Sequence, residues 1–149
     1  MYIDESGFES ESFRTHGWQK RGKKLHGEKQ GCRGVRTSLI AGRCGKRLLA
    51  PVLFEGNTNA LWFNEWLAHH LLKEIPVNST IIMDNAAFHK SPETRKILEE
   101  ADHTLLYLPP YSPDFNPIEN DFAIIKKHRQ FAKNNNLDNI IKSYGNYLE

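Results

Sequence analysis

The sequence predicts an α/β fold, with a mixed five-stranded sheet flanked by helices. Three observations predict it: a hairpin of two apolar segments early in the chain, two short apolar segments typical of buried strands further on, and helical patterns around them. Hairpin strands are antiparallel, whereas strands joined through helices are usually parallel, so the sheet should be mixed. The expected order is three strands, then helix, strand, helix, strand and two helices.

The first three strands come from the N-terminal third of the chain. Tyr2–Asp4 is typical of the end of a very short strand. Val35–Gly42 and Arg47–Phe54 are apolar segments separated by Arg43–Lys46, which predicts the hairpin. Pro51 cannot donate a ladder hydrogen bond, so it either weakens the third strand or places it at an edge of the sheet.

The middle of the chain predicts a helix followed by a strand. Asn57–Asn59 offers an N-cap, and the helix should end near Glu74 because Pro76 follows. Thr80–Met83 has the pattern of a buried strand and leads directly into Asp84. The apolar residues of the helix recur at helical spacing: Leu61, Trp62, Trp66, Leu67 and Leu71.

The C-terminal part continues the alternation. Ser91–Glu93 begins a helix, with serine as the cap and proline at the first position. Thr104–Leu108 is a further buried strand, which Pro109–Pro110 ends. Asn116–Phe131 and Leu137–Leu148 are predicted helices, the second with the weaker pattern. The ribonuclease-H-like fold has this order of elements, so we expect that fold.

The composition is that of one folded domain. With 149 residues, of which 39% are hydrophobic and 26% charged, the chain can bury a core, which excludes wholesale disorder. No apolar segment approaches the roughly 18–20 residues needed to cross a bilayer, and the N-terminus lacks the features of a signal peptide. Cys32 and Cys44 suit a reducing compartment. We therefore expect a cytoplasmic protein with no membrane partner.

Two clusters of basic residues have the charge to neutralise phosphates. Between residues 14 and 36 there are eight Lys/Arg and a single acid, Glu28. A solvated loop and a solvated helix face explain the same clusters, so both interpretations stay open. The first cluster comprises Arg14, Lys20, Arg21, Lys23, Lys24, Lys29, Arg33 and Arg36, and the second comprises Lys126, Lys127, Arg129 and Lys133.

Three acids stand out by their context. Asp4 ends the first predicted strand, Asp84 ends a buried strand, and Glu119 lies in the first turn of a helix. If the first and fourth strands are neighbours, the two aspartates lie side by side, and the later helix can bring Glu119 to them. Converging carboxylates repel one another unless a cation is present, and their oxygens suit Mg²⁺ or Mn²⁺. Each acid alone also has an ordinary explanation, as a turn former or a partner for a helix dipole.

Four sequence motifs surround these acids. They are IDESGF at residues 3–8, HGWQKRG at 16–22, MDNAAFHK at 83–90 and LPPYSPDFNPIEN at 108–120, the last being the most specific. In addition, 79 residues separate Asp4 from Asp84, and 34 separate Asp84 from Glu119. In these motifs and intervals the chain resembles the mariner-like superfamily of transposases, particularly the bacterial insertion-sequence branch with a DDE catalytic domain.

The resemblance implies a function. By it, Asp4, Asp84 and Glu119 are the catalytic residues and the ligands of Mg²⁺ or Mn²⁺, with two ions expected. The implied reaction is cleavage at transposon ends and joining of the freed 3′-hydroxyl to target DNA, usually at a TA step. The implied partners are transposon-end and target DNA, together with a second copy of the chain or a separate DNA-binding subunit. The implied location is the nucleoid of a bacterial cytoplasm.

Further motif residues are candidates for DNA contacts, each with a structural alternative. Asn85 can bond the preceding aspartate or approach the substrate, and His89 and Lys90 can contact phosphate or serve capping and surface roles. Trp18 can stack on DNA or anchor a small core. The candidate DNA-binding residues are Trp18, Lys20, Arg21, Lys23, Lys24, Asn85, His89, Lys90, Lys126 and Lys127.

Other residues are predicted to support the acids. Glu5 should point to the opposite side of the sheet from Asp4 if the strand continues, so it either supports the metal-ligating residues indirectly or has a structural role. Asn116 should cap the helix that carries Glu119. The prolines of the last motif should fix the loop that aims Glu119: they are Pro109, Pro110 and Pro113.

The chain departs from the family pattern in two places. Three residues precede Asp4, so we expect one DDE catalytic domain over residues 1–149, with the N-terminal helix-turn-helix DNA-binding region absent. Asp121 and Phe122 stand where the family usually has an apolar residue and a Trp, which puts the packing of this helix in question. With its basic patches alone, the isolated chain should bind DNA weakly and without sequence preference.

Other functions remain open from the sequence alone. One is a ribonuclease-H-type or junction-cutting nuclease, against which the PPYSPDFNPIE motif argues. Another is a catalytically inactive or regulatory transposase remnant that binds DNA or a full-length transposase. A purely structural domain would leave three intact carboxylates unexplained. Strand-transfer products separate a transposase from a nuclease, and metal-dependent nicking separates either enzyme from a remnant.

Overall fold

A computed structural model of the chain describes residues 1–9, 20–24, 35–110, 112–131 and 136–147. The strands of this part are β1 (Tyr2–Phe8), β2 (Thr37–Cys44), β3 (Arg47–Glu55), β4 (Thr80–Met83) and β5 (Thr104–Tyr107). They form one sheet in the order β3-β2-β1-β4-β5. The β1–β2 and β2–β3 pairs are antiparallel, whereas the β1–β4 and β4–β5 pairs are parallel. The predicted mixed five-stranded sheet is confirmed, as is the pairing of the first strand with the fourth.

The first two helices begin at the residues that the capping signals predict. Asn59 accepts a hydrogen bond from the backbone N–H of Trp62, at 2.9 Å, and Ser91 accepts one from Thr94, at 3.0 Å. The first helix ends earlier than predicted and is followed by a short 3₁₀ turn over Leu71–Lys73. The α-helices of the described residues are α1 (Ala60–His69), α2 (Pro92–Glu100), α3 (Ile118–Phe131) and α4 (Leu137–Tyr147).

Strand β1 is longer than the sequence indicates. The prediction that it ends at Asp4 is wrong, because every residue from Tyr2 to Phe8 pairs with a residue of β2. The backbone partners of residues 5–8 are Thr37 to Ile40, which lie far away along the chain. Asp4 therefore lies inside a strand, where the backbone is fixed on one side by β2.

Strand β3 lies at the edge of the sheet, as Pro51 predicts. The pairing shifts between Ile40 and Gly42, opposite a bulge that contains Ala50 and Pro51. Ala50 has a φ of 45° and is held on both sides. Its carbonyl accepts from the Trp66 indole at 3.0 Å, and its N–H donates to the Glu74 carboxylate at 2.9 Å.

The sheet separates two apolar cores. Helices α1 and α2 cover one face through a core that includes Ile3, Phe63 and Leu98, while α3 and α4 cover the other through a core that includes Phe8 and Phe122. Side chains of a strand alternate between its faces, so consecutive residues of β1 face different helical layers. None of the helices in the described ranges is long and apolar enough to span a bilayer.

Candidate active site

Asp4 and Asp84 lie side by side where two parallel strands diverge. Ile3 of β1 pairs with Met83, the last residue of β4, so the next residue of each strand is one of the two aspartates. Strand β1 continues beyond this point along β2, while the chain leaves the sheet after Met83. The pairing of β1 with β4 thus brings together two acids that are 80 residues apart in the sequence.

Glu119 comes to the same place from the first turn of α3. The adjacent Ile118 is fully buried in the core beneath α3 and α4, whereas Glu119 is exposed. The backbone N–H of Glu119 donates to the carbonyl of Asn116, at 3.1 Å, which forms the first turn of the helix. Packing of Ile118 therefore turns Glu119 toward the strand aspartates.

The three carboxylates line one cleft of about 530 Å³. One wall is the loop after β5, which carries the predicted aiming prolines Pro109 and Pro110. The structure therefore brings together all three acids that the sequence singled out. The cleft is lined by Asp4, Asp84, Asn85, Lys90, Leu108, Pro109, Pro110, Ser112, Asn116 and Glu119.

The electrostatics of the cleft distinguish the two aspartates. Burial raises the pKa of Asp4 to about 7, with additional contributions from the charges of Glu119 and Asp84 and an opposing one from the Glu5 N–H. The hydrogen bond from His89 is the main cause that lowers the pKa of Asp84, and it outweighs partial burial. A buried carboxylate beside two others is stabilised in its ionised form by a nearby cation.

The cleft suits a hard divalent cation such as Mg²⁺ or Mn²⁺, because the acidic side chains that line it offer carboxylate oxygens as metal ligands. Within the described ranges, no three His, Cys, Asp or Glu side chains are already spaced to ligate a single ion. Ligation of one ion by all three acids therefore requires a movement of their side chains. Oδ1 of Asp84 is bonded to His89 Nδ1, at 2.6 Å, and to the N–H of Ala86, at 3.0 Å.

Asn116 contacts the cleft in an unexpected way. Its side-chain amide donates to Oδ2 of Asp4 at 2.9 Å, and its own Oδ1 is buried without a hydrogen-bond partner among the described residues. The prediction that its side chain caps α3 is therefore wrong, since only its backbone carbonyl accepts from the helix. Asn85 likewise does not bond Asp84: its amide donates to the carbonyl of Leu108 at 2.7 Å and ties the end of β4 to the proline loop.

His89 is buried rather than available to DNA. Only 1% of the residue is exposed, and its ring packs against the rings of Phe63 and Phe88 at centroid distances of 4.6 and 4.2 Å. This burial corrects the expectation that His89 contacts phosphate. The Phe-His-Lys sequence gives no local sign of it, because Phe63 comes from α1, a distant part of the chain.

Glu5 faces away from the cleft, on the side of the sheet covered by α1, as the alternation of the strand predicts. Its Oε2 accepts a hydrogen bond from the Thr58 hydroxyl at 2.6 Å. Its pKa is raised overall, mainly by burial, and the Thr58 hydrogen bond and the charge of His89 offset only part of this rise. Glu5 is thus partly buried between the sheet and the segment that precedes α1.

The candidate basic residues are distributed over several surfaces. Among the described basic residues, Lys90 lines the cleft, where its charge contributes to the lowered pKa of Asp84. Lys126 lies over the ring of Phe8 at 5.6 Å, and Lys127 lines a separate groove between α3 and α4. Lys20, Arg21, Lys23 and Lys24 are exposed, and Trp18 lies outside the described residues.

Asp121, one of the departures from the family pattern, has partners that the sequence does not indicate. It is 4% exposed, with Oδ2 at 2.9 Å from Arg43 Nη1 and Oδ1 accepting from the Tyr144 hydroxyl at 2.6 Å. Arg43 also donates to the carbonyl of Pro117, directly before α3. This network ties the first turn of the Glu119 helix to β2 and α4, so the helix packs well with an acid at this position.

Comparison with solved structures identifies the fold. The chain matches the Mos1 transposase paired-end complex with left transposon end at a TM-score of 0.75 and 18% identity, over 99% of this chain and 46% of that chain. It matches the catalytic domain of Mos1 mariner transposase at 0.65 and 15% identity, over 97% of this chain and 69% of that one. A simian T-cell lymphotropic virus intasome in complex with PP2A regulatory subunit B56 gamma matches at 0.59 and 15% identity, over 96% and 45%.

These matches confirm the predicted ribonuclease-H-like fold. The chain spans 46% of the length of the first of these transposase chains. Comparison with curated protein sequences finds no match. The family model described as DDE superfamily endonuclease matches residues 1–141, which include all three acids of the cleft. The chain belongs to the DDE superfamily endonucleases.

Proposed function

We propose that this chain is the catalytic domain of a DNA transposase, from the bacterial insertion-sequence branch of the mariner-like superfamily. The observation that carries the proposal is the convergence of Asp4, Asp84 and Glu119, from three distant segments, in one cleft. In this proposal the three carboxylates hold Mg²⁺ or Mn²⁺, and the chain cuts DNA at transposon ends and joins the freed end to target DNA. Mos1 structures described with Mn and with Mg support this choice of metal.

Asp4 and Lys90 each have a part in this chemistry. Asp4 is buried and bonded by Asn116, so it presents its charge in a nearly fixed position. Lys90 supplies the positive charge that attracts a DNA phosphate into the cleft. Two bound divalent ions would activate an attacking hydroxyl and stabilise the leaving oxygen of a phosphodiester. Water and a DNA 3′-hydroxyl are both suitable attacking groups, so one site serves cleavage and joining.

The test is a Mn²⁺-dependent cleavage assay on supercoiled and linear DNA, with Asp84→Asn as the matched control. Asn is nearly isosteric with Asp and removes one charged ligand, so the wild-type chain should nick DNA and the variant should not. Strand-transfer products from a pre-cut end, again absent with the variant, would separate a transposase from a simple nuclease. Equal behaviour of wild type and variant would reject the catalytic role of this cleft.

The number of ions and the partners are part of the same proposal. Two Mn²⁺ per chain are expected in equilibrium titrations, and substitution at Asp84 should lower that number. A second copy of the chain or a separate DNA-binding subunit is expected in the assembly that joins two ends, and the paired-end description of the Mos1 structure supports this. Light scattering with and without DNA measures the assembly. A purely monomeric DNA complex would argue against pairing by this chain.

The remaining parts of the proposal concern DNA binding and location. The chain alone should bind DNA weakly and without sequence preference, because the contacts it offers are basic side chains that meet phosphates. Tight, sequence-selective binding in a gel-shift assay would contradict this. Because the substrate is DNA, we also propose that the protein works at the nucleoid of a bacterial cytoplasm, which imaging of a fluorescent fusion can test.

A further inference from the structure

A buried histidine directly contacts one of the proposed metal ligands. His89 Nδ1 lies 2.6 Å from Oδ1 of Asp84. An ionised carboxylate can only accept hydrogen bonds, so Nδ1 carries the hydrogen and donates it. The ring is held by Phe63 and Phe88, and the Tyr107 hydroxyl donates to the backbone carbonyl of His89 at 2.9 Å. The donor thus reaches Asp84 from a rigid position.

Glu5 lies near the other ring nitrogen of His89, Nε2. His89 Nε2 and Glu5 Oε1 are both buried and have no hydrogen-bond partner among the described residues. Glu5 is close enough for His89 to lower its pKa. The second oxygen of Glu5 is fixed by the Thr58 hydroxyl at 2.6 Å. With the hydrogen on Nδ1, both unpaired atoms are acceptors, so one internal water molecule that donates a hydrogen to each would satisfy them together.

We propose that His89 is a positioning residue for Asp84, and that Glu5 in turn orients the His89 ring through Nε2. The hydrogen bond to Oδ1 fixes the rotation of the Asp84 carboxylate and leaves Oδ2 to ligate an ion in the cleft. This inference rests on the proposed function, since it concerns how the cleft holds a divalent ion. It adds two residues to the site, both on the side of the sheet opposite to Asp4.

The surroundings of His89 argue against a purely structural role. A pocket between two phenylalanine rings suits an apolar side chain, whereas an imidazole in that pocket leaves a nitrogen buried without a hydrogen-bond partner among the described residues, which is unfavourable. Hydrogen bonds to metal-ligating groups commonly change metal affinity about 10–100-fold. The imidazole is therefore suited to orienting the Asp84 carboxylate rather than to filling space in the core.

The test measures Mn²⁺ affinity by calorimetry and by electron paramagnetic resonance of the free ion, on the full chain without DNA. His89→Phe keeps a ring and removes the donor, so Mn²⁺ binding should weaken about 10–100-fold. Unfolding in urea with EDTA should show no matching loss of stability. His89→Asn keeps an amide N–H in place of Nδ1 and should restore most of the affinity. Glu5→Gln, which keeps the size of the side chain, should weaken binding less than His89→Phe.

A matched control separates an effect on the orientation of Asp84 from an effect on the stability of the fold. His103 is also buried, and its Nδ1 accepts from the Ser79 N–H at 3.2 Å, but it precedes β5 at the end of the sheet away from the cleft. His103→Phe should lower stability and leave Mn²⁺ affinity unchanged.

The outcomes distinguish this inference from the proposed function. If wild type and His89→Phe bind Mn²⁺ equally, the positioning role is overturned while the metal site stands. If His89→Phe does not fold, His89→Leu takes its place. A folded His89→Leu variant that loses Mn²⁺ affinity while His89→Asn keeps most of it supports positioning, and one that binds Mn²⁺ like the wild type overturns it. If the wild-type chain binds no Mn²⁺, the proposed function and this inference fail together.

Discussion

Replacing Asp4 with asparagine should stabilise the metal-free protein above neutral pH. Asp4 is only 9% exposed, so its ionised form is disfavoured, and asparagine has nearly the same shape without the charge. The hydrogen bonds can be kept: the oxygen of the new side chain accepts from the Glu5 N–H, and its nitrogen donates to Oδ1 of Asn116, which has no partner at present among the described residues. This requires only that the Asn116 amide turns over.

The magnitude follows from the pKa of Asp4. Its rise from 3.8 to about 7 corresponds to about 4 kcal/mol, at roughly 1.4 kcal/mol per pKa unit. The folded-state pKa lies above the unfolded value, so the proton is held more tightly in the folded protein. The resulting stabilisation is complete below about pH 4 and is lost as the pH rises to about 7. The asparagine variant has no such loss, so it should exceed the wild type by up to about 4 kcal/mol at pH 8.

The measurement is urea unfolding in EDTA at pH 4 and pH 8, compared between Asp4→Asn and wild type. Asp102→Asn is the control, because Asp102 is exposed in the turn after α2 and its φ of 58° suits asparagine equally well. It should leave stability unchanged at both pH values. Adding Mn²⁺ at pH 8 should stabilise the wild type and not Asp4→Asn. A variant that is less stable than wild type at pH 8 in EDTA would refute the reasoning.

Three further predictions concern the parts around the cleft. Phe63→Ala should destabilise the chain by about 3–5 kcal/mol in urea unfolding, because Phe63 is fully buried in the core under α1. Arg43→Met should cost about 3 kcal/mol by the same measurement, since it leaves buried Asp121 without its cation; Arg43→Met with Asp121→Leu should recover most of that loss. Lys90→Gln should weaken DNA binding and reduce the slope of log K against log salt by about one.

The sequence predicts the fold because the local signals agree with the tertiary structure. Capping by Asn59 and Ser91, the edge position of Pro51 and the apolar strand Thr80–Met83 all depend on local chemistry, and the structure confirms each. The length of β1 is the exception. Residues 5–8 include Ser6 and Gly7, which carry little strand preference, and they are extended because β2 supplies their backbone partners.

The contacts inside the site are less predictable, because they depend on neighbours that are distant in sequence. The sequence singles out the three acids through motif and spacing, but it gives no sign that His89 is enclosed by aromatic rings. Asn116 stands where a helix cap is expected, yet a buried carboxylate 112 residues away is the acceptor for its amide. The buried Asp121 likewise depends on an ion pair with Arg43, which lies 78 residues away in the sequence.

The two strand aspartates are held from opposite layers of the molecule. Asn116 holds Asp4 from the layer of α3 and α4, whereas His89 holds Asp84 from the layer of α1 and α2. Glu119 is exposed and depends on the start of α3 for its position. A change in the packing of either layer therefore alters a different carboxylate of the same cleft. It follows that metal affinity should respond to substitutions in both cores, even where each core change leaves the chain folded.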